Sequence, residues 1–216
     1  MIVTTSPHNA VADAARQPDV LEQLLSAQVN LVSWHRELAS GLDEQLVEWA
    51  GCFPAQFSEV VSLPDYDLSA AMHGLKEPAR TWLATDISIL LSRFATFVDA
   101  SRLSVRFGAI RTDQCRKFHV DNVRYRLITT YVGPGTQWVP DNAVHRGALS
   151  RPSKDPNDAN TKIVEHASAI RQAKAGDVLV MKGERHTNQS GAVHRSPPIE
   201  CSGDIRVVLV VTTVDD

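Results

Sequence analysis

Apolar positions recur along this chain with two different periods. Over residues 77–100, Leu83, Ile87, Leu90, Leu91, Phe94, Phe97 and Val98 return every three or four positions, the spacing of a helix that buries one face. A second helix is predicted over 38–49, with Leu38, Leu42, Leu46 and Trp49 on one side and Gly51 and Pro54 ending it. A short helix over 18–27 starts at Pro18-Asp19, since proline suits a first turn and an acid suits the positive end of the helix dipole. Residues 29–34 form a short strand candidate, and residues 1–16 read as loosely ordered. Residues 64–74 fit a turn and a short helix.

From Arg102 onward the period shortens. Residues 103–110 alternate in the manner of a strand, and strand-like runs follow at 117–120, 123–132, 137–139, 177–182, 192–195 and 205–214. Residues 141–160 make a polar loop flanked and interrupted by Pro140, Pro152 and Pro156, long enough to suggest function or mobility. Residues 161–173 are compatible with helix or strand.

Helices first and strands second define an α+β chain. The last strand is apolar on both faces, with Ile205, Val207, Leu209 and Val211 against Val208 and Val210. One face can line a barrel while the other lies under the 77–100 helix, as in a double-stranded β-helix of the jelly-roll or cupin type. The expected organisation is a mainly helical N-terminal region, residues 1–100, packed on a barrel over residues 101–216 in one continuous unit.

Composition adds limits. A chain of 216 residues with 43% hydrophobic and 22% charged residues can bury a core without disulfides. A formal charge of −3 gives no reason to expect nucleic acid or an acidic membrane as partner. Three cysteines, Cys52, Cys115 and Cys201, without metal-finger spacing, fit reduced thiols in the cytoplasm. The N-terminal segment lacks a basic stretch followed by an apolar one, so no signal peptide is expected, and no apolar run approaches membrane-spanning length.

The chemistry concentrates at His119-Val120-Asp121 and His194. On an extended segment, side chains at i and i+2 share a face, so one metal can bind both His119 and Asp121. Two histidines and a carboxylate with open positions are the facial triad of non-haem Fe(II) oxygenases. Arg206 follows His194 by twelve positions, at the start of the last apolar strand. A buried guanidinium there needs an anion, either a small carboxylate ligand or a neighbour such as Asp177 or Asp204.

These residues resemble the Fe(II)/2-oxoglutarate-dependent oxygenases, most closely the prolyl-hydroxylase-like branch. Arg126-Leu127-Ile128-Thr129-Thr130-Tyr131 and then Gly133 to Pro140, GPGTQWVP, are similar to the strand and turn that follow His-x-Asp there. Ala175-Gly176-Asp177 with the apolar run after it looks like that branch's strand before the distal histidine. The likeness covers residues 102–214. It implies Fe(II) on His119, Asp121 and His194, with 2-oxoglutarate as cosubstrate and O₂ as oxidant. It also implies Arg206 on the distal carboxylate of 2-oxoglutarate, and Tyr125, Arg126 or Thr130 as further contacts to it. The substrate, a small molecule or a protein side chain, is not implied. The whole chain also resembles a bacterial family of unknown function in which FHVDNVR, RL, TY, GPGTQW and AVHRSPP recur, and that likeness names no activity.

Two other functions fit the same residues. Zinc on the triad with a water molecule would support hydrolysis, and a cupin-like metal-binding or sensing module would need no oxygen chemistry. Trp138, His145 and Arg195 are candidate substrate contacts, with Arg146 beside His145. His186 is a substitute for His194 as distal ligand. Cys115 is read as structural, and Asp177 as shaping a turn.

Overall fold

Alternation along the final strand sets the layering of the molecule. The structure, a computed structural model, describes residues 11–15, 18–52, 56–186 and 191–214. Ten strands are described: β1 Val11–Ala15, β2 Leu31–Trp34, β3 Gln56–Ser62, β4 Arg102–Ile110, β5 Tyr125–Val132, β6 Gln137–Val139, β7 Arg171–Gln172, β8 Val178–Lys182, β9 Val193–Arg195 and β10 Arg206–Thr213. The three α-helices are α1 Leu42–Cys52, α2 Ala79–Val98 and α3 Pro156–Ile163.

Seven strands form one sheet in the order β1-β2-β8-β5-β10-β4-β3, and three form a second in the order β7-β6-β9. All pairings are antiparallel except β1 with β2. Val207, Leu209 and Val211 of β10 join the main core with Leu83, Leu90 and Phe94 of α2 and Leu46 of α1. Val208 faces the other way, into a second cluster with Ile128, Leu179, Met181 and Trp138. Behind the small sheet, Val139 and Val193 pack with Phe118 and with Ala159 and Ile163 of α3. The layers therefore run helices, large sheet, small sheet, α3. The fold mixes helices with antiparallel sheet, and no helix among the described residues is long and apolar enough to cross a membrane.

Several elements differ from expectation. The first hundred residues are not only helical, because β1, β2 and β3 join the large sheet, β1 and β3 at its two edges. Val11–Ala15 is a strand within the segment read as loose; residues 1–10, and Arg16 with it, lie outside the described residues. The helix expected over 18–27 is 3-10 over Pro18–Leu25. β3 had no sequence signal, since its burial does not alternate: only Phe57 and Val61 are buried among seven residues. Residues 117–120 form a single bridge at His119 rather than a strand. The polar loop is largely folded: Asp155 caps α3 by accepting the Asn157 N–H at 2.9 Å, with Pro156 in the first turn.

The turn between β5 and β6 depends on glycine. Gly133 has φ +79°, and a Cβ there would lie 2.3 Å from the Ile205 carbonyl oxygen. This close approach seats the turn against the start of β10, where Arg206 stands. Phe94 is fully buried under the large sheet. Phe94→Ala is expected to lower stability by about 3–5 kcal/mol, read from urea unfolding; a loss below about 1 kcal/mol would contradict this packing.

Candidate metal centre

His119 and His194 come from segments 75 positions apart, yet they face each other across an antiparallel bridge. Each donates its backbone N–H to the other's carbonyl at 3.0 Å. Trp138 pairs with His194 on the next strand. On β9, His194 and Ala192 share the face toward the large sheet, because Ala192 lies in the cluster between the sheets while Val193 lies behind.

The imidazoles are oriented by backbone. His119 Nδ1 lies 2.9 Å from the Lys117 carbonyl oxygen, and His194 Nδ1 lies 3.2 Å from that of Ala192. A carbonyl only accepts, so each Nδ1 carries the hydrogen and each Nε2 is left with a lone pair. Those Nε2 atoms converge on Asp121: His119 Nε2 is 3.4 Å from Oδ1 and His194 Nε2 is 3.0 Å from Oδ2. One ligand atom from each of the three residues lies within 4.8 Å of the others.

Lone pairs facing a carboxylate repel unless a cation sits between them. Asp121 Oδ2 is buried and accepts no hydrogen bond while both imidazoles are neutral. In the ion-free protein a proton on an Nε2 can fill that role. Burial opposes charging of His119, but the Asp121 carboxylate and the Lys117 carbonyl raise its pKa above the ordinary 6.5. Burial alone would raise Asp121, but hydrogen bonding from His119 and His194, with Arg126 nearby, holds its carboxyl far below the usual range. The donor set, two neutral imidazoles and one carboxylate oxygen, fits a divalent metal with positions left for other ligands.

Two further residues hold the site, and the sequence did not point to either role. Asn160 of α3 accepts the Phe118 N–H at 2.8 Å and donates to the Arg116 carbonyl at 2.9 Å, so it pins the backbone just before His119. Arg126 Nη1 lies 2.6 Å from Asp121 Oδ1. Arg126, expected on the cosubstrate, is engaged with Asp121, a candidate metal ligand. Gly191 makes room for this arrangement, since a Cβ there would meet Val120 at 2.3 Å.

Arg206 is one of the largest fully buried side chains. It stands two residues from Val208 on β10 and so shares that residue's face, toward the space between the sheets. Its Nε donates to the Pro134 carbonyl at 2.7 Å and its Nη2 to Thr130 Oγ1 at 3.3 Å. Both acceptors are neutral. Asp177 is engaged by His35 at 2.6 Å and by the Lys174 N–H at 2.7 Å, and Asp204 is exposed and bonded to Ser202. Arg206 therefore has no carboxylate partner among the described residues, and burial pushes its pKa down to about 10.

Other expected contacts lie elsewhere. Tyr125 belongs to the core on the helix side, packs edge-on against Phe97, and shares a 2.7 Å hydrogen bond with His186 Nε2. It does not face Arg206, and His186 is not among the converging ligand atoms. Arg195 donates to Gln137 at 2.8 Å and stacks on Phe118, on the side of the small sheet away from His194. His145 is exposed. Arg146 pairs with Asp141 and donates to the Gly191 carbonyl at 2.8 Å, bracing the segment before His194. Trp138 is buried between the sheets. Cys115, read as structural, is exposed, and its carbonyl accepts the Ser196 N–H. An open cleft of about 660 Å³ beside Trp34, His35 and Asp177 is lined by none of His119, Asp121 and His194.

The chain belongs to the family described as Protein of unknown function (DUF1826), whose model matches residues 15–212. No curated protein matches it. Similar solved structures include a Pseudomonas putida prolyl-4-hydroxylase, 12% identical over 92% of this chain and 94% of that one, with a TM-score of 0.47. A bsmA homolog from Methylobium petroleophilum is 12% identical over 89% and 91%, with a TM-score of 0.43. The Fe(II)/(alpha)ketoglutarate-dependent dioxygenase TqaL is 12% identical over 82% and 75%, with a TM-score of 0.43.

Metal and protons compete for His119. Its pKa is raised above 6.5, so Mn(II) affinity measured against pH is expected to begin falling above pH 6.5 as the solution is acidified. A flat profile through that range would contradict the assigned ligand. Asn160→Leu is expected to weaken metal binding about 10–100-fold with the fold retained by circular dichroism; unchanged affinity would remove Asn160 from the site.

Proposed function

We propose that this protein is a non-haem Fe(II) oxygenase of the hydroxylase type that uses 2-oxoglutarate as cosubstrate, and that its facing sheets are a double-stranded β-helix. The observation that carries the reading is Arg206: a buried guanidinium without a carboxylate partner among the described residues, on the face that also presents Arg126. Arg126 and Thr130 stand four residues apart on β5, about 13 Å of extended strand. That is the scale of a short dicarboxylate held by a metal at one end and a guanidinium at the other.

In this reading His119 Nε2, His194 Nε2 and Asp121 Oδ2 hold the iron. Arg206 and the Thr130 hydroxyl bind the far carboxylate of 2-oxoglutarate, the guanidinium supplying charge and paired donors. Ile128, Trp138 and Val208 keep water out of the space between the sheets. Iron, 2-oxoglutarate and O₂ together supply oxidation of a C–H bond, with the cosubstrate decarboxylated to succinate. The chain's own contribution is orientation and a dry, positively charged chamber.

Anaerobic visible spectroscopy tests this. Fe(II) and then 2-oxoglutarate are added to metal-free protein, wild type and Arg206→Ala. The expected result is a charge-transfer band that requires both additions and is lost or shifted to about 100-fold higher 2-oxoglutarate in the variant, which still binds iron. Iron binding without that band in the wild type would favour the hydrolase or the sensing module instead.

A further inference from the structure

We infer that Arg126 fixes Asp121 as a one-oxygen ligand, by occupying Oδ1 so that only Oδ2 is presented to the metal. The inference rests on the metal-centre reading and adds a positioning residue to it.

The two oxygens of Asp121 have different surroundings. Oδ1 lies 2.6 Å from Arg126 Nη1 and, farther off, 3.4 Å from His119 Nε2. Oδ2 is buried, accepts no hydrogen bond while both imidazoles are neutral, and lies 3.0 Å from His194 Nε2. A carboxylate free to rotate would present both oxygens to a divalent ion and chelate it. A guanidinium on one oxygen opposes that, because it takes one of the lone pairs of Oδ1 and its charge repels a metal drawn to the same oxygen.

Arg126 is itself held in place. It sits on β5, paired with Met181 of β8 and Thr212 of β10, and its side chain is 18% exposed. Its other charged neighbour is Arg106, which repels it. Asp121 is its one carboxylate partner among the described residues. Release from Asp121 would leave a largely buried cation unpaired, so the pair resists separation when a metal enters. Two consequences follow for the centre. A coordination position that chelation would fill stays open for an incoming ligand. The extra positive charge beside the metal favours anionic ligands in that position.

The carboxylate's asymmetry makes the role testable by rescue. In Asp121→Asn, Arg126 selects the amide rotamer that gives it the side-chain oxygen, which turns the NH₂ group, a poor ligand, toward the metal. Removing the guanidinium as well frees the amide to flip and offer its oxygen. Mn(II) affinity, read from the loss of the free-ion electron paramagnetic resonance signal, is measured for wild type, Asp121→Asn, Arg126→Met and Asp121→Asn/Arg126→Met, with fold checked by circular dichroism. The expected order is tight binding by wild type, retention within about tenfold in Arg126→Met, loss of about 100-fold or more in Asp121→Asn, and recovery of about tenfold in the double variant. Arg126→Leu replaces Arg126→Met if the latter does not fold.

A double variant no tighter than Asp121→Asn overturns the positioning role and leaves the metal centre standing. Arg126→Met losing the metal as completely as Asp121→Asn also overturns it, since the arginine would then be needed for the site to form at all. Failure of the wild type to bind Mn(II) removes the metal centre, and the inference with it.

Discussion

Two backbone hydrogen bonds between His119 and His194 are the constraint on which the site depends. They join segments far apart in sequence, and each can form only if both sheets are built. β9 must pair with β6 to bring His194 forward, and Asn160 must reach from α3 to hold the chain before His119. The carbonyls of Lys117 and Ala192 then fix both imidazoles with Nε2 inward. The orientation of the two imidazoles is thus set by main chain.

Charge between the sheets follows from the same frame. Asp121 is engaged by Arg126, while Arg206 stands buried further along with only a carbonyl and a hydroxyl. A divalent ion at the triad would add to this excess of positive charge in a largely apolar surrounding. Under the proposed function such surroundings would favour an anion, and a dianion with its carboxylates at opposite ends would offset more of the charge than a monoanion. The helices α1 and α2 contribute by covering the opposite face of the large sheet, which leaves its inner face free for the site.

The layering was legible where periodicity was strong. The 77–100 helix is α2, Ala79–Val98, and the doubly apolar run 205–214 is β10, Arg206–Thr213, with one face under the helices and the other inward. The convergence of His119, Asp121 and His194 was legible because His-x-Asp spacing and a later histidine beside apolar residues constrain a metal site. Edge strands were not legible. β3 is mostly exposed and carries no alternation, so its pairing with β4, not its own sequence, makes it a strand. Tyr125 was misplaced for a simple reason: it is one residue from Arg126, and on a strand one residue reverses the face. Asn160 left no trace because its partners are main-chain groups of Arg116 and Phe118, which have no sequence signature.

The central claim is that one ligand spans the metal and Arg206, and thermodynamic linkage tests it most directly. Mn(II) would be titrated calorimetrically in the absence and presence of 2-oxoglutarate, and 2-oxoglutarate in the absence and presence of Mn(II). A shared ligand requires each to tighten the other by the same factor, expected to be about tenfold or more. Metal affinity indifferent to 2-oxoglutarate would contradict the account and leave the triad and the buried arginine as two unconnected features.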